Sequence, residues 1–466
     1  MRSSRPMRHV PALALLTLAA ALAGCGPSNG SPPAAFVVRP DISDSLCNGG
    51  RGIRLSIPSW REKGGETGTA HTSSGSIAGG STVIAFSGWK RYPVLHLVTP
   101  RCELDRQFGI DGTAMITIPS SLRSPHSSEP GAEELSISAV AARNGGGAIL
   151  AGNYAGEPVV AEITEHGTLD TSFGDDGWAL LPFRAGARAI LQEPSGRIIV
   201  GGEEPRVGRP ESNWAAALSA HGQFDPTFGG HGRVELPTGG DSGIDRLELE
   251  PDGDILVKVS GGKMGCFYTK LAMMTPSGQP VPKFATRLDR FWRATGFHAF
   301  VGDVYIDGDG FTLVGTGQGP CFDSPTSPSS LTGVIARFLS DGRAAAPTIR
   351  FPSRISARAW DGQAWAFPES GDIFFVTEPY FHAEPLEPVA LTALRPNGSA
   401  DPQFAIHGRA QILAGGREGS GERLSGVIRI INAGPGEITL LAEVEHDLIT
   451  TKPSELAELQ LIRLRL

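Results

Sequence analysis

The strongest constraint on this chain is that it repeats. Short apolar runs recur as "STVIAFS" (81–87), "GAILAGN" (147–153), "RIIVGGE" (197–203), "DILVKVS" (254–260), "FTLVGTG" (311–317), "DIFFVTE" (372–378) and "EITLLAE" (437–443). Aligned, they bring Ile84, Leu150, Val200, Val257, Val314, Phe375 and Leu440 into register, with a mean step of about 59 residues. A period of that size marks stacked supersecondary units.

Each unit reads as four short strands. Tight turns such as "EPSGR", "EPDGD", "DGDGF", "PESGD" and "GPGEI" precede or open the apolar run, and Gly there supplies the positive φ that a hairpin wants. Alternating runs such as "ARAILQE", "DRLELE", "GDVYID" and "GVIRIIN" stand before the turns. A third run follows after a loop of variable length, as in "PVVAEIT", "WAAALSA" and "LQLIRLRL". An acidic, Gly-rich corner then leads into a fourth. No segment longer than about ten residues shows helical periodicity. The expected fold class is all-β: a seven-bladed β-propeller of four-stranded antiparallel blades. An open β-solenoid is the competitor, but its repeats are shorter and lack four-strand meanders.

The ends of the chain supply a test of closure. The last copy stops at its third strand, "LQLIRLRL" (459–466), and its missing fourth matches "LCNGGRGIRLSIP" (46–58), with Gly52 at the shared glycine. The N-terminal strand is therefore expected to complete the C-terminal blade.

The corner appears as "LDRQFGIDGT" (104–113), "LDTSFGDDGW" (169–178), "FDPTFGGHGR" (224–233) and "ADPQFAIHGR" (400–409), with degenerate versions near 284–294 and 338–352. Its acidity suggests catalysis. A residue needed once per blade cannot converge with its copies on one substrate, however. Asp105, Asp170, Asp225 and Asp401 are expected to be turn residues bonding backbone N–H groups, with Phe108, Phe173, Phe228 and Phe404 as plugs between blades and Gly112, Gly177, Gly232 and Gly408 permitting the bend. The composite unit, "dG.iLvgG" followed by "vaRl..dG.lD.sFG.dG.v.l", resembles the delta-60 repeat over almost all of 45–466. That resemblance implies a propeller-like fold in an exported, often lipid-anchored bacterial protein, and no particular activity.

The N-terminus gives an address. Arg2, Arg5 and Arg8 precede an apolar stretch at 10–24, too short for a span followed by a stop. It ends in Leu22-Ala23-Gly24-Cys25, which resembles a lipobox and would make Cys25 the lipid-bearing first mature residue. The expected organisation is a signal peptide over 1–24, a lipidated Cys and flexible tether over 25–35, and one propeller domain over 36–466. This places the protein outside the cytoplasm in a bacterial envelope, with Gly26 resembling outer-membrane sorting, and its first partner is the membrane.

The formal net charge of −8 and the lack of a basic run argue against nucleic acid. Neither G-x-S-x-G, H-E-x-x-H, C-x-x-C nor a Walker A loop is present. "DGDG" (307–310) begins like a calcium loop, but Phe311 and Gln318 stand where ligands belong. No catalytic residue, metal or cofactor is expected. Export permits disulfides, and repeat register pairs Cys47 with Cys102 and Cys266 with Cys321. The expected function is a monomeric binding scaffold for a protein or glycan ligand. The alternatives are an enzyme acting on carbohydrate or peptide at the face of long loops (204–213, 318–331 and 381–388), or a structural envelope component.

Overall fold

The apolar runs become the second strands of seven antiparallel sheets. A computed structural model describes most of residues 53–465; residues 1–52 lie outside it, as do 88–92, 119–134, 205–211, 319–331, 353–363, 378–389, 412–421, 447–457 and shorter stretches between strands. Among the described residues, the first sheet comprises His71–Ser76, Thr82–Ser87, Val94–Val98 and Thr113–Met115. The second runs Leu135–Ala142, Ala148–Tyr154, Glu157–Ile163 and Trp178–Leu180, and the third Gly186–Gln192, Ile198–Glu204, Ser212–Leu218 and Arg233–Leu236. The fourth has three strands, Ser242–Leu249, Ile255–Lys263 and Cys266–Met274. Ala299–Asp307, Gly310–Gln318, Thr332–Leu339 and Ile349–Pro352 form the fifth, and Ala364–Ala366, Ile373–Thr377, Ala390–Leu394 and Arg409–Gln411 the sixth. In the seventh, Glu422–Gly434, Glu437–His446 and Glu458–Arg465 are joined by Ile53–Ser56 from the other end of the chain. Ile53 pairs with Leu461 and Leu55 with Leu459. A two-stranded ribbon, Trp60–Arg61 with Thr67–Gly68, follows that strand.

The sheets meet in chain order, through their first strands at every step but one. His71–Ser76 lies against Leu135–Ala142, which lies against Gly186–Gln192, which lies against Ser242–Leu249. Cys266–Met274 then meets Ala299–Asp307, which adjoins Ala364–Ala366; that strand adjoins Glu422–Gly434, and Glu422–Gly434 adjoins His71–Ser76. The core sits between successive sheets. Ile149, Val160, Phe173 and Trp178 of the second, and Ile198, Val200, Trp214 and Leu218 of the third, are all buried. The second strands are buried on both faces, which explains why they read as continuous apolar runs.

Several first strands carry an extra residue at a corresponding place. The pairing with the second strand skips Ser138 in the second sheet, Arg188 in the third and Asp245 in the fourth, with a similar irregularity between Leu424 and Gly426 in the seventh. Such bulges bend the strand and re-aim a side chain.

One element corrects the sequence reading. Pro282–Thr295 is a fourteen-residue α-helix, α1, where a degenerate corner and fourth strand were expected. Pro282 sits at its first position, where a missing N–H costs nothing. Phe284 and Leu288 are buried and Phe291 and Trp292 half-buried, so its apolar side faces the protein, with Phe291 4.8 Å from the Phe338 ring. Among the described residues no helix is long and apolar enough to cross a membrane.

Candidate functional site

The acidic corner is built from short-range hydrogen bonds. Asp105 Oδ1 accepts the N–H of Gln107 at 2.9 Å, and Asp401 Oδ1 that of Gln403 at 3.0 Å. Asp170 Oδ1 accepts both the N–H (3.1 Å) and the hydroxyl (2.6 Å) of Ser172; Asp225 Oδ1 does the same with Thr227 at 2.9 and 2.6 Å. The Ser172 and Thr227 hydroxyl bonds lead in holding the Asp170 and Asp225 carboxyls below their ordinary value. An acid held ionised in this way is poorly suited to donate a proton near neutrality.

The aromatics of three corners reach the next sheet. Phe108, Phe173 and Phe228 are buried. Each lies where a β-carbon would project from a glycine one repeat onward: a Cβ on Gly222 would meet Phe173 at 2.9 Å, and one on Gly278 would meet Phe228 at 2.7 Å. A backbone bond accompanies each contact, from Gly109 N to His166 O (2.8 Å), Gly174 N to His221 O (2.9 Å) and Gly229 N to Ser277 O (2.8 Å). Phe284 in the first turn of α1 keeps this arrangement, packing against Gly342. The helix therefore preserves the plug while replacing the strand. Phe404 is half-buried, its ring 5.5 Å from that of Phe374. Gly112, Gly177 and Gly232 have φ of 86°, 95° and 79°; Gly408 lies outside the described residues.

Arg188, Asp245, Arg246, Glu248 and Asp303 on the first strands are paired. Arg246 Nη1 donates to both Asp303 oxygens at 3.1 Å and bonds Glu248 through Nε, while Lys258 Nζ stands 3.4 Å from Asp303 and 3.3 Å from Asp245. Burial works to raise the Asp303 carboxyl, but Lys258 and Arg246 together overcome it and hold it low. Arg188 Nε meets Glu203 at 2.6 Å, and Gly243 leaves room for that pair. Among the described residues no three His, Cys, Asp or Glu side chains are grouped to hold a metal. The hairpin at 307–310 is closed by pairing of Asp307 with Gly310.

One carboxyl is different. In "EPSGR", Glu193 binds Arg197 Nε at 3.0 Å; in "EPDGD" the equivalent Glu250 faces Asp254 instead of an arginine. Glu250 is buried, its Oε2 accepts the Ser340 hydroxyl at 3.0 Å, and its Oε1 has no hydrogen-bond partner among the described residues. Burial, reinforced by Asp252 and Asp254, pushes it up to about 7 from an ordinary 4.5. Between those values the folded chain holds a proton that the unfolded chain has lost, so this contribution is intact below pH 4.5 and fades as pH rises to 7. Glu250→Gln, which resembles the protonated form, should match the parent in thermal midpoint at the acid end and exceed it above neutrality. A pH-independent gap would refute this assignment.

Cys25, Cys47, Cys102 and Cys321 lie outside the described residues, and Cys266 is placed only as a strand residue. Most of each long loop also lies outside. The sequence reading missed the basic side of α1, which carries Lys283, Arg287, Arg290 and Arg293; their spacing of three to four residues was the available signal.

No protein-family model and no curated protein matches the chain. Among solved structures it is similar to the polysaccharide lyase Uly1, at 9% identity and a TM-score of 0.45, over 83% of this chain and 88% of that one. A Trypanosoma rangeli sialidase gives 9%, 0.38, 88% and 59%, and a Streptomyces coelicolor aldose sugar dehydrogenase 11%, 0.34, 89% and 99%. Likeness at this level assigns no activity to the chain.

Proposed function

We propose that the protein is a lipid-anchored, seven-bladed β-propeller of the delta-60 repeat kind, serving as a binding scaffold in a bacterial envelope. The observation favouring the ring is the order of contacts: successive sheets meet in chain sequence, the seventh sheet adjoins the first, and Ile53–Ser56 shares a sheet with Glu458–Arg465. A scaffold is favoured over an enzyme because the corner carboxylates are engaged in turns and, among the described residues, Arg188, Asp245, Arg246 and Asp303 on the first strands are paired. The anchor rests on Leu22-Ala23-Gly24-Cys25, since several acyl chains at roughly 0.8 kcal/mol per buried CH₂ hold a protein stably.

The test joins location and binding. Cys25→Ala should move the protein from the membrane fraction to the soluble one, and the full chain in nonionic detergent should retain specific ligands on glycan arrays or in pull-downs. Membrane retention of Cys25→Ala would overturn the anchor. Turnover of a retained glycan or peptide would favour the enzyme; specific retention of nothing would favour a structural component.

A further inference from the structure

We propose that the solvent side of α1 docks a linear, carboxylate-bearing polysaccharide. This deepens the scaffold reading above by naming a ligand class for one surface. The helix replaces the outer strand of the fourth sheet, and Lys283, Arg287, Arg290 and Arg293 oppose the single anion Asp289. A chain of net charge −8 thus concentrates four cations on one fourteen-residue element. Residues three and four apart fall on one side of a helix, so the four form a stripe about 15 Å long.

Among the neighbouring groups Asp341 offsets Arg287, while Arg343 and Arg350 add cations beside the helix. Asp341 is shared, lying 3.0 Å from Arg287 and 2.7 Å from Arg343. Arg350 donates to the Thr295 carbonyl at the helix C-terminus. Lys283, Arg290 and Arg293 are exposed and form no ion pair among the described residues.

The occupant follows from what the helix lacks. An interfacial membrane helix needs an apolar side to sink into lipid, and the apolar side of α1 is spent on Phe338 and its neighbours. The remaining attraction is electrostatic and directional, because guanidinium groups bind carboxylates bidentately. A straight row of cations suits a stiff chain with regularly spaced carboxylates. A flexible acidic peptide would lose more conformational entropy on aligning with it.

Polygalacturonate is a direct probe, with its fully methyl-esterified form as the neutral counterpart. The full chain in nonionic detergent should bind the acid form, weaken as salt rises, and ignore the ester. Lys283→Glu/Arg290→Glu/Arg293→Glu should weaken binding roughly thirtyfold, summed over three exposed contacts of modest worth. Its thermal midpoint should stay near the parent's, since all three side chains point to solvent. Absence of polygalacturonate binding, equal binding by the triple variant, or equal affinity for poly-glutamate or duplex DNA would each overturn the proposal. Retention of other glycans in those cases would leave the scaffold reading standing.

Discussion

A chain lacking residues 36–58 is expected to elute as aggregate and to lose its cooperative thermal transition. That deletion removes Ile53–Ser56, which pairs with Glu458–Arg465 from Ile53↔Leu461 to Ser56↔Glu458. The last strand, "ELQLIRLR", would then present an open row of backbone N–H and C=O groups with apolar residues at Leu459, Leu461 and Ile462. Open edges of this length invite pairing with other chains. The seventh sheet would also keep one side uncovered while still adjoining the first. Size-exclusion chromatography and calorimetry of the truncated chain decide the matter; a folded species with the parent's elution volume and midpoint would refute it.

Phe173→Ala should cost about 3–5 kcal/mol, the usual range for emptying a buried aromatic site. The ring is buried between the second and third sheets, and Gly222, at φ 77°, gives it room. Collapse into the vacated volume is limited, because the Gly174–His221 backbone bond holds the two corners apart at a fixed distance. Gly222→Ala should also destabilise, combining backbone strain with a clash against Phe173. In the double variant the clash with the ring disappears and only the 3.0 Å approach to Gly174 N remains, so the two losses should sum to less than their separate values. Strict additivity in urea unfolding would show that the plug and the glycine do not meet in solution.

The sequence makes the repeat legible because its strongest signal is local. A doubly buried second strand must be apolar throughout, so Ile198–Glu204 and Ala148–Tyr154 announce themselves without knowledge of their neighbours. The corners are legible for the same reason, since Asp170 bonds a residue two positions away. The ion network is not: Arg246 and Asp303 are one repeat apart, and nothing local marks them as partners. α1 was hidden by its resemblance to what it replaces. Phe284 keeps the plug of a corner, which drew attention from Pro282 and from the spacing of Phe284, Leu288, Phe291 and Trp292. Bulges such as those at Arg188 and Asp245 are invisible because one extra residue leaves the apolar alternation nearly intact.

The pairing of Ile53–Ser56 with Glu458–Arg465 also sets a timetable. Ile53–Ser56 emerges from synthesis before any of the seven sheets, yet its partner, Glu458–Arg465, is made after the other six. Every other sheet can assemble from neighbours in the chain as they appear, whereas this one must wait for Glu458–Arg465 and close a loop of about four hundred residues. Completion of the seventh sheet thus reports synthesis through Arg465. A chain cut short during translation or export would keep an unfinished seventh sheet, a defect that proteases and chaperones could read.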